Sequence, residues 1–277
     1  MKILLIFQIF LISVCAFGQR NPTKKAEPIV AEGKLLYKSE MASWLATDLF
    51  ITQYKDTDKI GGYFSYTENE VSKCIFFSRA NSPKVVGTIS FDKSFDSKSA
   101  KIDVEERDFS KLEGDLYQLR EAALEEIRTD TLFKSYQNTR FNLIPLVSKK
   151  EKKVYILTGP TVEGVVIFGN DYLLTFNRLN KLKSKKQLHK NIIPVSYDVV
   201  DENGKKSQES IHSHTDETGD FITATDICTL MLYEKFTNWK AHHVVSQKYL
   251  NIWNCEEDRL VVLPMEAIRN MSEGKER

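Results

Sequence analysis

No histidine occurs before His189 in this 277-residue chain, and no excess of one charge marks it as a whole. Lys and Arg number 39 against 38 Asp and Glu, so the net charge of +1 provides no overall field toward nucleic acid or an anionic membrane. Nucleic acid is therefore not an expected partner. A second long apolar run is also lacking, because after the N-terminal segment no stretch approaches the roughly 20 apolar residues that a spanning helix needs. Cysteine is scarce: Cys15, Cys74, Cys228 and Cys255 fit neither a disulfide-dense scaffold nor a zinc ribbon, and the last three read as separate buried small residues.

The N-terminus has the order of an export signal. Lys2 is followed by an apolar stretch from Ile3 to Val14 and then by Ala16-Phe17-Gly18, which offers small residues where a signal peptidase inspects the chain. Residues 1–18 are thus expected to be a cleaved signal, with a membrane anchor or lipidation at Cys15 as alternatives. The expected location is extracytoplasmic, periplasmic or secreted, with no stable membrane span after cleavage.

Residues 19–33 mix Pro, Lys, Glu and Gly without periodicity and read as a flexible leader. From 34 to 135 an N-terminal α+β region is expected. Short aromatic and β-branched runs between Gly62 and Phe109 suggest an antiparallel meander, and Ser110 opens an apolar three-four pattern to Thr129 that predicts a helix. Four further strand signals follow at 141–147, 153–159, 164–169 and 172–177. Gly169-Asn170-Asp171 reads as a hairpin turn between the last two. The Lys-rich stretch from Arg178 to Lys190 reads as a solvated loop or surface helix, with an anion-binding patch as the sharper alternative. Asn203-Gly204 predicts a second hairpin that makes Ser207 to His214 the returning strand. Thr223 then opens a helix to about 237, three closing strands follow, and residues 266–277 read as a polar tail. The fold class is α+β, with an N-terminal antiparallel sheet and helix and a C-terminal mixed sheet flanked by helices.

All five histidines lie between His189 and His243, which concentrates the imidazole chemistry in one window. In a strand, residues two apart share a face, so His212 and His214 point the same way. With Asp226 in the first turn of the next helix they offer three ligands of a tetrahedral zinc site. Zinc with an open fourth position lowers the pKa of bound water to roughly 7. A plainer alternative stands beside this: Thr223 and Asp226 form an ordinary helix cap, and the histidine pair is idle. His242 and His243 alternate on their strand, so one faces inward without an assigned ligand role. His189 reaches the same region only if the basic segment folds back.

The array His212-Ser213-His214, a loop of eight residues, then Thr223-x-x-Asp226 resembles the JAMM (MPN+) metalloprotease motif, in which a histidine pair precedes Ser-x-x-Asp. The resemblance spans residues 140–265. It implies a mixed sheet with flanking helices, zinc on His212, His214 and Asp226, Thr223 in the serine position at the oxyanion, and Glu163 as the upstream general base. The loop is one residue longer than is usual in the family, and Thr215 stands where a proline is common. The implied function is an exported zinc metallohydrolase cleaving peptide or isopeptide bonds of a peptide or protein substrate. The alternative is a noncatalytic extracytoplasmic binding or structural module with a degenerate JAMM-like fold.

Overall fold

The computed structural model describes residues 21–197, 200, 202 and 204–273, so the export signal and Cys15 lie outside the described residues. Within them, four α-helices and fourteen strands in four sheets make an α+β fold. Among the described residues no helix is long and apolar enough to cross a membrane.

From Pro22 onward the expected leader is helical. Helix α1 runs Pro22–Gln53, with Pro22 in its first turn and the Asn21 side chain accepting from the Thr23 N–H at 3.0 Å. Its buried face is built from small residues, Ala26, Gly33, Ser39, Ala42, Ser43 and Ala46, with only Leu36 and Phe50 as large members. That is why hydrophobic periodicity did not reveal it. Small residues let helices approach closely, and Gly33 marks the contact: a Cβ there would lie 2.7 Å from the Cβ of Ile227.

The meander is present as strands β1 (Ile60–Glu68), β2 (Val71–Ser78), β3 (Val85–Phe91) and β4 (Lys101–Asp103), paired antiparallel in that order. Helix α2 (Lys111–Thr129) begins at a capping box formed by Ser110 and Glu113. Strands β5 (Thr139–Val147) and β6 (Lys152–Pro160) open the next sheet, which continues through β8 (Tyr172–Phe176) to β9 (Leu182–Gln187). The middle of the basic segment is therefore a strand, with turns on either side, and not a helix. It is the edge strand β9, and lysine is what an exposed edge carries to deter further pairing; Lys185 also bridges Glu126 and Asp130.

Strand β7 (Val165–Gly169) pairs antiparallel with β10 (Ile192–Ser196) and not with β8. Gly169-Asn170-Asp171 is consequently a corner between two sheets, not a hairpin turn. Gly169 has φ +87°, and a Cβ on it would lie 2.1 Å from the Asn191 carbonyl oxygen, so only glycine fits.

Of the hairpin expected around Asn203-Gly204, the described residues show an antiparallel bridge between Val200 and Lys206; residues 198, 199, 201 and 203 lie outside them. Strand β11 (Glu209–Ser213) instead pairs parallel with β12 (Ala241–Val245), and helix α3 (Ala224–Thr237) supplies the crossover that parallel strands require. Strands β13 (Tyr249–Asn254) and β14 (Arg259–Pro264) complete a mixed sheet, and α4 (Met265–Glu273) occupies most of the expected polar tail. A core of Ala26, Phe168, Ile227, Trp239, Val244 and Trp253 joins α1, β7, α3 and this sheet. Cys74, Cys228 and Cys255 are buried and unpaired.

A buried histidine and aspartate cluster

Four elements meet beside that core. Strand β11 aims His212 inward, and His214 follows immediately, its N–H held by the Val245 carbonyl at 2.8 Å. The expected common face is observed, since both imidazoles are buried and their Nε2 atoms lie 3.1 Å apart. Helix α3 brings Asp226 through its N-terminal capping box. The fourth contributor is His189, delivered by the return of β9 beside β8; its Nε2 lies 3.4 Å from that of His214 and 3.6 Å from Asp226 Oδ1.

His189, His214 and Asp226 each place a ligand atom within 4.8 Å of the other two, and this buried group can hold a metal ion. His212 Nε2 adjoins it at 3.7 Å from Asp226 Oδ1, and His214 Nε2 is 3.2 Å from Oδ2. Ligands about 2.0–2.1 Å from one tetrahedral ion stand roughly 3.3 Å from each other, so these separations suit a common ion. A second indication comes from hydrogen bonding. Asp226 Oδ1 is buried without a hydrogen-bond partner among the described residues, a costly condition that a cation would relieve.

Supporting contacts surround the group. His212 Nδ1 is 2.8 Å from His242 Nε2, and His242 Nδ1 is 2.7 Å from Ser210 Oγ. With Nδ1 of His212 as donor, the chain runs in one direction and leaves its Nε2 lone pair facing the cluster. His243 points the other way toward Glu209, as alternation requires. On the opposite side Asp171 Oδ2 lies 3.3 Å from His189 Nδ1, while the Thr158 N–H donates to Asp171 Oδ1 at 3.0 Å.

The electrostatics divide the imidazoles. Burial lowers the pKa of His212 to about 4 in spite of Asp226, and burial holds that of His242 well below the usual range. Burial also opposes charge on His189, but Asp226 and Asp171 outweigh it and raise the pKa to about 10. Asp226 is desolvated, yet His189 and His212 keep its pKa well below normal. A cationic His189 thus balances Asp226 where a metal ion would otherwise do so.

Two sequence-derived roles meet a different geometry. Glu163 is exposed on the bend before β7, whereas His189 and Asp171 lie at that strand's far end. A five-residue strand separates those ends by roughly 13 Å or more. Glu163 is therefore not on a strand and is not brought to the cluster. Thr223 is present as the cap, and its hydroxyl donates to Asp226 Oδ2 at 2.8 Å while accepting from the Asp226 N–H at 3.1 Å. His189, which the sequence places here only if the basic segment folds back, and His242, given no ligand role, both join the cluster, and Asp171, read only as part of a turn, is the residue that sequence reasoning left out. The available signal was the Lys-rich alternation of β9, which as an edge strand returns His189 toward β8.

The chain matches no family model, no curated protein and no solved structure.

Proposed function

We propose that this chain is a noncatalytic, extracytoplasmic metal-binding module of JAMM-like ancestry, with zinc held by His189, His212, His214 and Asp226. The carrying observation is the convergence of three imidazole nitrogens on a buried carboxylate whose Oδ1 has no hydrogen-bond partner among the described residues. Three nitrogens and one oxygen are a donor set that suits zinc, and four protein ligands, with His212 joining the group of three, would make a closed site of the structural kind. Side-chain exposure of 8% or less at all four residues supports the closed reading.

The peptide-hydrolase reading shares the ion but asks for more. It needs an open coordination position, a general base and a free hydroxyl at the oxyanion. His189 stands beside the other ligands, Glu163 is remote, and the Thr223 hydroxyl proton is engaged by Asp226. These three observations favour the module. Export remains part of the proposal through the signal read in residues 1–18.

Metal analysis after purification with zinc present tests the proposal. About one zinc per chain is expected, falling in both His189→Ala and His214→Ala, with no turnover of a broad peptide library. Absence of zinc from the wild type would overturn the metal site, and hydrolysis lost on zinc removal would overturn the noncatalytic assignment.

A further inference from the structure

A cavity of about 280 Å³ opens between α1, α3 and the β5–β6 hairpin. Helix α1 gives it one face at helical spacing, through Glu40, Ser43, Trp44, Thr47 and Asp48. Exposed Arg140 and Trp44 stand at its mouth, and buried Thr158 and Thr229 form its floor. None of the metal-cluster residues lines it, so its ligand chemistry is independent of the proposed zinc site.

The charged groups of this cavity lack partners. Among the described residues neither the Glu40 carboxyl nor the Arg140 guanidinium makes a hydrogen bond or an ion pair, although both line the same space and Arg140 acts on the Glu40 carboxyl. Carboxylates and guanidiniums that meet form strong charge-assisted pairs, and here the two line one cavity without pairing. Burial pushes the pKa of Glu40 up to about 7, only partly offset by the Arg140 charge. The rest of the wall is mixed: Ser43, Thr47, Asp48 and Asn142 supply polar groups, while Leu157, Ile167, Leu232 and Tyr63 supply an apolar and aromatic part, with Trp44 packed 6.0 Å from Tyr233.

We infer that this cavity binds a free α-amino acid with an apolar side chain, its carboxylate on Arg140 and its ammonium on Glu40. An amino acid carries the two complementary charges on one small molecule, so it can meet both side chains where they do not meet each other. The part of the wall formed by Leu157, Ile167, Leu232 and Tyr63 receives the side chain. The volume lies below the usual range for drug-sized ligands, which sets the limit at a single residue or little more.

Calorimetric titration of the full zinc-supplemented chain with L-leucine tests this, alongside L-leucine methyl ester, N-acetyl-L-leucine and methyl α-glucoside. Each charge-assisted contact is worth about tenfold or more in affinity, so the ester and the N-acetyl compound should each bind at least about tenfold more weakly than leucine. Arg140→Ala should weaken leucine similarly but leave the ester unchanged. Glu40→Gln should weaken leucine and leave the N-acetyl compound unchanged. Absence of saturable leucine binding by folded wild type up to about 10 mM would overturn the inference, since weaker association is not specific recognition. Equal affinity for leucine and its ester would overturn it too, as would binding of the glucoside alone.

Discussion

Thr223 and Asp226 bind each other in both directions: the backbone N–H and hydroxyl of Thr223 donate to Asp226 Oδ2 at 2.9 and 2.8 Å, and the Asp226 N–H donates back to the hydroxyl at 3.1 Å, leaving Oδ1 toward His189 and His212. The cap of α3 and the orientation of the candidate ligand are therefore one feature. Thr223→Ala should cost about 1 kcal/mol of stability through the lost cap and weaken zinc about 10–100-fold through the freed carboxylate. Chelator competition and urea unfolding measure the two effects. A stability loss with unchanged zinc affinity would separate the cap from the ligand.

His189 and Glu163 make opposite predictions. His189→Ala should reduce zinc affinity by at least tenfold, the scale of losing even a supporting contact to a metal ligand. Glu163→Gln should leave zinc content unchanged and stability within about 0.5 kcal/mol of wild type, as expected for an exposed residue outside such features. Metal analysis and thermal unfolding on the two variants check both.

Arg107 grips Glu113 through two hydrogen bonds of 2.7 and 2.8 Å, and the Ser110 N–H adds a third at 2.8 Å. Burial works to raise the Glu113 pKa from its ordinary 4.5, but these bonds outweigh it and hold the value at about 2. The folded value is the lower one, so the unfolded chain binds the proton more readily. The stabilisation is fully present above about pH 4.5 and is lost as pH falls toward 2. Glu113→Gln should be less stable at pH 7, by about 2 kcal/mol, and should show a shallower loss in urea midpoint between pH 5 and pH 3. An unchanged acid profile would remove Glu113 as its source.

Gly33 and Gly114 are both helical glycines with opposite surroundings. An added Cβ meets Ile227 at 2.7 Å from Gly33 and nothing within 4 Å from Gly114. Gly33→Ala should destabilise by about 1–3 kcal/mol through overpacking, and Gly114→Ala should stabilise by about 0.5–1 kcal/mol through helix propensity. Thermal unfolding of the pair checks the α1–α3 contact against an internal control.

Lys185 and His212 show where local information ended. The alternation of the meander, the capped three-four pattern from Ser110 and the shared face of His212 and His214 are consequences of strand and helix geometry acting over a few residues, and they were legible from spacing. Helix α1 was not, because its buried face is mostly small and becomes favourable only against α3 and the first sheet. Strand β9 was not, because its lysines are explained by the edge position it takes beside β8. The sequence by itself determined the α+β class, α2, α3 and the Thr223 to Asp226 cap. Only tertiary structure decided that β11 pairs parallel with β12, that Asp171 turns a corner between sheets, and that His189 joins the cluster while Glu163 does not. Those outcomes depend on contacts between segments far apart in the chain, whose pairing is set by the burial of several faces at once and not by any one segment's own pattern.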